Sequence, residues 1–130
     1  MTYVNGILTS VLRGSLAEDV YTIQQDVTDG TSTRLPFLVA AQIPGGSGRV
    51  DPRFPVEIAL VQVDGYAAGS RAAKDLCQSA IDALVAAWRQ HTHTPDGRVA
   101  GVGDISGPYP LPVQASGTFR YSATVQITVR

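Results

Sequence analysis

The chain has 130 residues, a net charge of −1, 44% hydrophobic and 16% charged residues, and one cysteine. That length fits one domain with one modest core. The near-neutral charge excludes a general affinity for nucleic acid or anionic membranes, and the lone Cys77 excludes an internal disulfide framework or a cysteine-based metal cluster. The charged fraction lies below the ~25% usual for soluble domains, which points to outer surface covered by partners. No basic segment followed by an apolar stretch opens the chain, and no run approaches the ~18 apolar residues of a membrane helix. The expectation is a soluble protein made in a reducing compartment, with no membrane partner.

Between Thr2 and Arg13, Val4, Ile7, Leu8, Val11 and Leu12 recur at helical spacing and predict a first amphipathic helix, which Gly14 and Ser15 can end. Leu16 to Arg34 is polar and turns at Asp29-Gly30; an irregular connection is expected, with a short extended piece at Val20 to Ile23. Leu35 to Ile43 reads as a strand. Pro44-Gly45-Gly46-Ser47-Gly48 breaks it, and Pro52 and Pro55 keep the next stretch irregular. Pro55 to Asp64 reads as a second strand with Val56, Ile58 and Leu60 on one face and Ala59, Val61 and Val63 on the other. Two apolar faces predict a central strand covered twice, joined to the first strand as a hairpin with a long, mobile tip.

The second strand runs through Gly65 to Gly69 into the clearest helix. Ala73, Leu76, Cys77, Ala80, Ile81, Leu84, Val85 and Trp88 form one stripe, Ser70 is placed to cap the start, and the end is expected near His91. Small residues at Ala73, Cys77 and Ala80 allow close approach to a sheet. Arg98 to Ser106 reads as a third strand, weakened by Gly101 and Gly103, and Gly107 to Pro112 as a stiff extended loop. Gly117 to Arg130 alternates without a fault. Phe119, Tyr121, Ala123, Val125, Ile127 and Val129 fall on the dry side, and Thr118, Arg120, Ser122, Thr124, Gln126, Thr128 and Arg130 on the wet side. The order helix, strand, strand, helix, strand, strand predicts an α+β domain spanning 1–130: a mostly antiparallel four-stranded sheet with both helices packed on it.

No catalytic constellation emerges. His91 and His93 could chelate a metal only with a third ligand such as Asp96, and a solvated helix end explains them better. The glycine-rich Pro44 to Arg49 segment lacks the following helix and the lysine that a phosphate loop requires. Cys77 lies on the apolar stripe, as a small core residue rather than a nucleophile. The serines carry no nucleophile-elbow signature. Asp64, Asp75 and Asp104 form no recognisable carboxylate pair, and Tyr66 and Trp88 read as packing residues. The expectation is therefore no enzyme, no metal and no cofactor.

Three segments, taken together, carry a resemblance. They are Leu35-Pro36-Phe37-Leu38-Val39-Ala40-Ala41-Gln42-Ile43-Pro44-Gly45-Gly46-Ser47, the strand-turn-helix from Val61 to Leu76, and Gly107-Pro108-Tyr109-Pro110 followed by Phe119 to Arg130. In this order they resemble tail terminator (tail completion, head-to-tail joining) proteins of long-tailed double-stranded DNA bacteriophages, in versions closest to those of actinobacterial siphophages. The resemblance implies a virion protein of the head-tail junction, assembled in the host cytoplasm. It implies a hexameric ring that stops tail-tube polymerisation, contacts the tail tube protein and the head-tail connector, and lets DNA pass through its lumen without sequence-specific binding. Another neck, connector or minor tail subunit is the alternative. The candidate subunit or tail interface is Arg49, Asp51, Arg53 and Phe54 of the hairpin loop with Tyr109; the candidate lumen or interface face is Arg120, Thr124, Gln126 and Thr128.

Overall fold

A computed structural model describes residues 4–15, 19–21, 36–43, 48–49, 56–112 and 117–130. Helix α1 spans Val4–Ser15 and α2 spans Ser70–Arg89. The strands are β1 (Asp19–Tyr21), β2 (Phe37–Gln42), β3 (Gly48–Arg49), β4 (Glu57–Ala67), β5 (His93–Thr94), β6 (Gly97–Leu111) and β7 (Phe119–Val129). The expected extended piece near Val20 is β1; the remainder of that connection and residues 44–47 and 50–55 of the hairpin tip lie outside the described residues.

β7 pairs antiparallel with β4 along its whole length, from Glu57↔Val129 to Ala67↔Phe119, and so occupies the middle of the sheet. β2 flanks β4 on the other side, antiparallel, as the hairpin reading requires. β3 resumes the same ladder opposite Ile58 and Glu57. The antiparallel order is β2-β4-β7-β6-β5, five strands rather than the expected four, and β1 adds in parallel beside β2. The extra strands are two or three residues long, too short to leave a period in the sequence.

The third strand also runs further than expected. Gly107 to Leu111 continues β6, with Tyr109 opposite Ser122 and Leu111 opposite Arg120. Prolines are tolerated there because, among the described residues, β6 has no neighbour on its outer side beyond Arg98, so a missing N–H breaks no ladder bond. Register shifts between Val99 and Gly101, Gly103 and Ser106, and Ser106 and Tyr109 bend the strand. At Gly107 the backbone has φ +106, and a Cβ would lie 2.7 Å from the Ser122 carbonyl oxygen, so glycine alone fits both the conformation and the contact.

Both helices cover one face. From β4 and β7 that face receives Ala59, Val61 and Val63 with Ala123, Val125, Ile127 and Val129, all inaccessible to solvent. Leu38 and Ala40 of β2 and Val99 of β6 join them. Helix α1 delivers the predicted stripe of Val4, Ile7, Leu8, Val11 and Leu12, and α2 delivers Leu76, Cys77, Ala80, Ile81 and Leu84. Each large apolar side chain buried here contributes about 1.5–3 kcal/mol before entropy is counted.

The seam between β4 and α2 depends on Gly65: a Cβ there would sit 2.7 Å from the Ala73 carbonyl oxygen and 2.9 Å from the Cys77 amide nitrogen. Small helix residues were expected to permit close approach; the missing side chain on the strand matters as much. Toward its C-terminus α2 also buries Ala83 and Ala87, the latter beside Val11 of α1. Val85 is half-buried and Trp88 is 36% exposed, against the expectation that both lie in the core. The N-cap of α2 is Gly69, not Ser70; the Ser70 hydroxyl instead lies 3.3 Å from the Tyr121 hydroxyl. The helix ends at Arg89, and His91 follows in a left-handed turn with φ 53°.

Candidate functional site

Among the described residues, the other face of the sheet carries no helix. By register it displays Ile58, Leu60, Gln62, Asp64 and Tyr66 of β4 beside Arg120, Ser122, Thr124, Gln126 and Thr128 of β7. Ile58 and Leu60 are half-buried, so β4 is covered fully on only one side, contrary to the double covering expected of it. Thr124, Gln126 and Thr128, three of the four candidate strand-face residues, form a half-exposed, uncharged lane down the middle of this face. A shallow depression of about 80 Å³ next to it is lined by Val39, Ala41, Ile43, Gln62 and Asp64.

Arg120 behaves differently from the other three. Its Nη2 donates to Asp64 Oδ2 at 2.9 Å, with the arginine side chain 17% and the aspartate side chain 3% exposed. The Gln62 amide donates to both carboxylate oxygens at 3.2 Å. The guanidinium also lies 5.6 Å from the centre of the Tyr66 ring, which stacks on Phe37 at 4.6 Å. This cation is thus committed to a buried partner and closes one end of the polar lane. Arg120 Nε and Ser122 Oγ, side by side on β7, are buried and make no hydrogen bond.

The loop candidates divide. Arg49 sits in β3 opposite Glu57, and only its main chain is described; Asp51, Arg53 and Phe54 lie outside the described residues. Tyr109 lies on β6 and is 39% exposed, with Ile105 of the same strand at 47% and Phe119, at the start of β7, at 45%. Ile105 thus lies beside the middle of the β6–β7 ladder, between the pairs Gly103↔Gln126 and Ser106↔Thr124, and Tyr109 and Phe119 lie toward its far end, so large apolar side chains meet solvent along this half of the ladder. Sequence reasoning placed Tyr109 there but missed Ile105, which was read as part of an ordinary weak strand. The signal was available in its flanks: Gly103, Asp104, Ser106 and Gly107 offer it no apolar neighbours along the chain.

The potential chemical groups do not converge. His91 and His93 are both exposed, and the described residues contain no group of three or more His, Cys, Asp or Glu. Cys77 is fully buried, and its thiol donates to the Val63 carbonyl at 3.5 Å. Burial, and secondarily the Asp64 charge, push its pKa up to about 12, while a hydrogen bond with the Gly65 backbone pulls the other way. A thiol so hard to ionise is no nucleophile. A 240 Å³ hollow between the helices, lined by Ser10, Val11, Gly14, Ala86, Ala87, Gln90 and Thr92, holds no charged side chain. No described helix is long and apolar enough to cross a membrane.

Comparison with known proteins agrees with a structural role. A chain from the structure titled "Virion of native gene transfer agent (GTA) particle" superposes with a TM-score of 0.65 at 16% identity, covering 97% of this chain and 93% of that one. At that identity the likeness establishes the shared fold. No curated protein sequence matches the chain. The family model described as "Phage tail termination protein" matches residues 1–130. Over that whole length the chain belongs to the phage tail termination protein family, a structural, non-enzymatic family of virion tail components that associate with other tail proteins.

Proposed function

We propose that this chain caps the phage tail tube as a closed ring of six subunits, ends tube polymerisation and joins the tail to the head connector. It would act at the head-tail junction, after assembly in the host cytoplasm, with DNA passing through the lumen. The observation that carries this reading is the pair of unlike features on one subunit of a tail termination family: exposed apolar side chains at Ile105, Tyr109 and Phe119 along the β6–β7 ladder, and an uncharged polar lane at Thr124, Gln126 and Thr128. A ring requires two different patches that meet head to tail. Large aromatic and aliphatic side chains anchor such contacts, while a lane low in charge loses little on desolvation. Arg49, Asp51, Arg53 and Phe54 of the hairpin loop, with Tyr109, are assigned to the contact with a neighbouring subunit or the tube.

The test is tail assembly with and without the protein. Tubes grown in its absence should run past their normal length, and adding it should restore a fixed length and allow heads to attach. The Arg49→Glu/Arg53→Glu variant should remain folded yet fail to join. Normal tube length without the protein would contradict the capping role, and normal joining by that variant would remove the loop from the interface.

A further inference from the structure

The hollow between the helix ends and one exposed side chain complement each other from opposite corners of the subunit. Val11 of α1 and Ala87 of α2 are buried at the floor of this 240 Å³ hollow, and Ala86 is half-buried beside them. Ser10, Gln90 and Thr92 stand exposed at its rim. The volume lies below the about 300–1,000 Å³ of small-molecule sites, and no charged side chain lines it. It therefore suits one uncharged side chain rather than a metabolite. An apolar floor under a polar rim selects a side chain with an apolar body and a polar tip.

Among the described residues, the large apolar or aromatic side chains exposed to solvent are Trp88, Ile105, Tyr109 and Phe119. Ile105 and Phe119 carry no polar atom to meet the rim. Trp88 belongs to α2 and follows Ala87 directly, so it is part of the patch that holds the hollow. Tyr109 has both parts: a ring to cover Val11, Ala86 and Ala87, and a hydroxyl that can donate to or accept from Ser10, Gln90 or Thr92. Its own hollow is out of reach. Tyr109 stands opposite Ser122, and Ser122 opposite Asp64, which places it on the open face of the sheet, whereas the hollow lies in the helix layer. The two are also at opposite ends of α2. Ser70, at the start of that helix, touches Tyr121 beside Ser122, while Ala86 and Ala87 are at its close, and its 20 residues span about 30 Å. From this we infer that Tyr109 of one copy seats in the inter-helix hollow of a second copy.

Charge agrees with this pairing. Asp104 is exposed and is the one charged residue of β6 between Val99 and Leu111, on the strand that carries Tyr109. Arg13 and Arg89, in the last turns of α1 and α2, flank the hollow. Opposite charges around the two patches steer their approach without having to form a direct pair. Patches on opposite faces and at opposite ends of one subunit meet head to tail, and each added copy presents a fresh hollow and a fresh tyrosine. The inference deepens the ring reading and rests on it only for the closure of that series. The second copy as occupant follows from the fit between Tyr109 and the hollow.

The test is a cross-link between copies. Tyr109→Cys protein is mixed with Ser10→Cys protein under a mild oxidant, in concentrated solution and on tail tubes; the native Cys77 is fully buried and does not compete. Peptide mass spectrometry should find position 109 of one copy joined to position 10 of another. Gln78→Cys, exposed on the outer side of α2, should give no such product in place of Ser10→Cys. Sedimentation at several concentrations supplies a second readout. Tyr109→Ala should weaken association about tenfold or more. Gly14→Trp should do the same by filling the hollow, since a Cβ at Gly14 meets nothing within 4 Å and the fold has room for it. The two changes together should weaken association little further, because both remove one contact. No cross-link in either setting, equal cross-linking at positions 78 and 10, unchanged association, or losses that multiply would each overturn the inference. Rings on tubes without the 109-to-10 cross-link would overturn it and leave the proposed function standing; the cross-link without rings on tubes would do the reverse.

Discussion

The two faces of the central sheet come from the same strands, one residue apart, yet they do different things. On the helix-covered face, Val61, Val63, Val125 and Ile127 are fully buried and interlock with α1 and α2. On the open face the intervening residues are Gln62, Asp64, Thr124 and Gln126, and this face holds the Arg120–Asp64–Gln62 cluster. The period-two geometry of a strand lets one face hold the fold and leaves the other free for assembly. Mutations on the two faces should therefore separate stability from joining.

The largest effect is expected on the covered face. Ile127→Ala removes a fully buried side chain near the C-terminal end of β7 and should lower unfolding free energy by about 4 kcal/mol, measured by urea denaturation. Next comes a place where the open face is itself buried. Arg120→Met leaves the Asp64 carboxylate without its cation and should cost about 3 kcal/mol, toward the low end for a buried pair because Arg120 retains some exposure. The double replacement Arg120→Met/Asp64→Leu should recover most of that loss. If it does not, the cluster has a role beyond pairing charges. Gly65→Ala inserts a Cβ against helix backbone that has no flexible end to yield, and should cost about 2 kcal/mol in the same assay.

The smallest effect concerns pH. The Cys77 thiol is held protonated in the folded state, with its pKa raised from 9.0 to about 12. Its contribution to stability is fully present below pH 9.0 and is lost as pH rises toward about 12, because the unfolded thiol ionises first. Cys77→Ala should therefore show a shallower alkaline fall in melting temperature than the wild type. Equal slopes would mean that the thiol ionises as readily folded as unfolded.

Much of this division was legible in the sequence. The alternation from Gly117 to Arg130 located β7 and assigned its faces, although Phe119 on the side read as dry is exposed and Ser122 on the side read as wet is buried, and the spacing of Val4, Ile7, Leu8, Val11 and Leu12 located α1. What stayed hidden depends on register between strands distant in the chain. Arg120 reads as a free cation on a wet face, and only its pairing opposite Tyr66 brings it to Asp64. Likewise, nothing local tells that Arg130 will face Arg98, since β7 had first to be placed beside β6. Gly107 to Leu111 reads as a loop because glycine and proline dominate it, yet an outer strand without a second neighbour accommodates both. Of the loop candidates, Arg49 is placed by its main chain alone.

The claim that the open face and the exposed apolar side chains of the β6–β7 ladder serve assembly is tested most directly by imaging negatively stained tail tubes mixed with purified protein. The wild type should form a six-fold ring at one end of each tube. Ile105→Asp/Phe119→Asp, with an unchanged circular dichroism spectrum, should leave the ends bare. Bare ends with wild-type protein, or normal rings with that variant, would contradict the account.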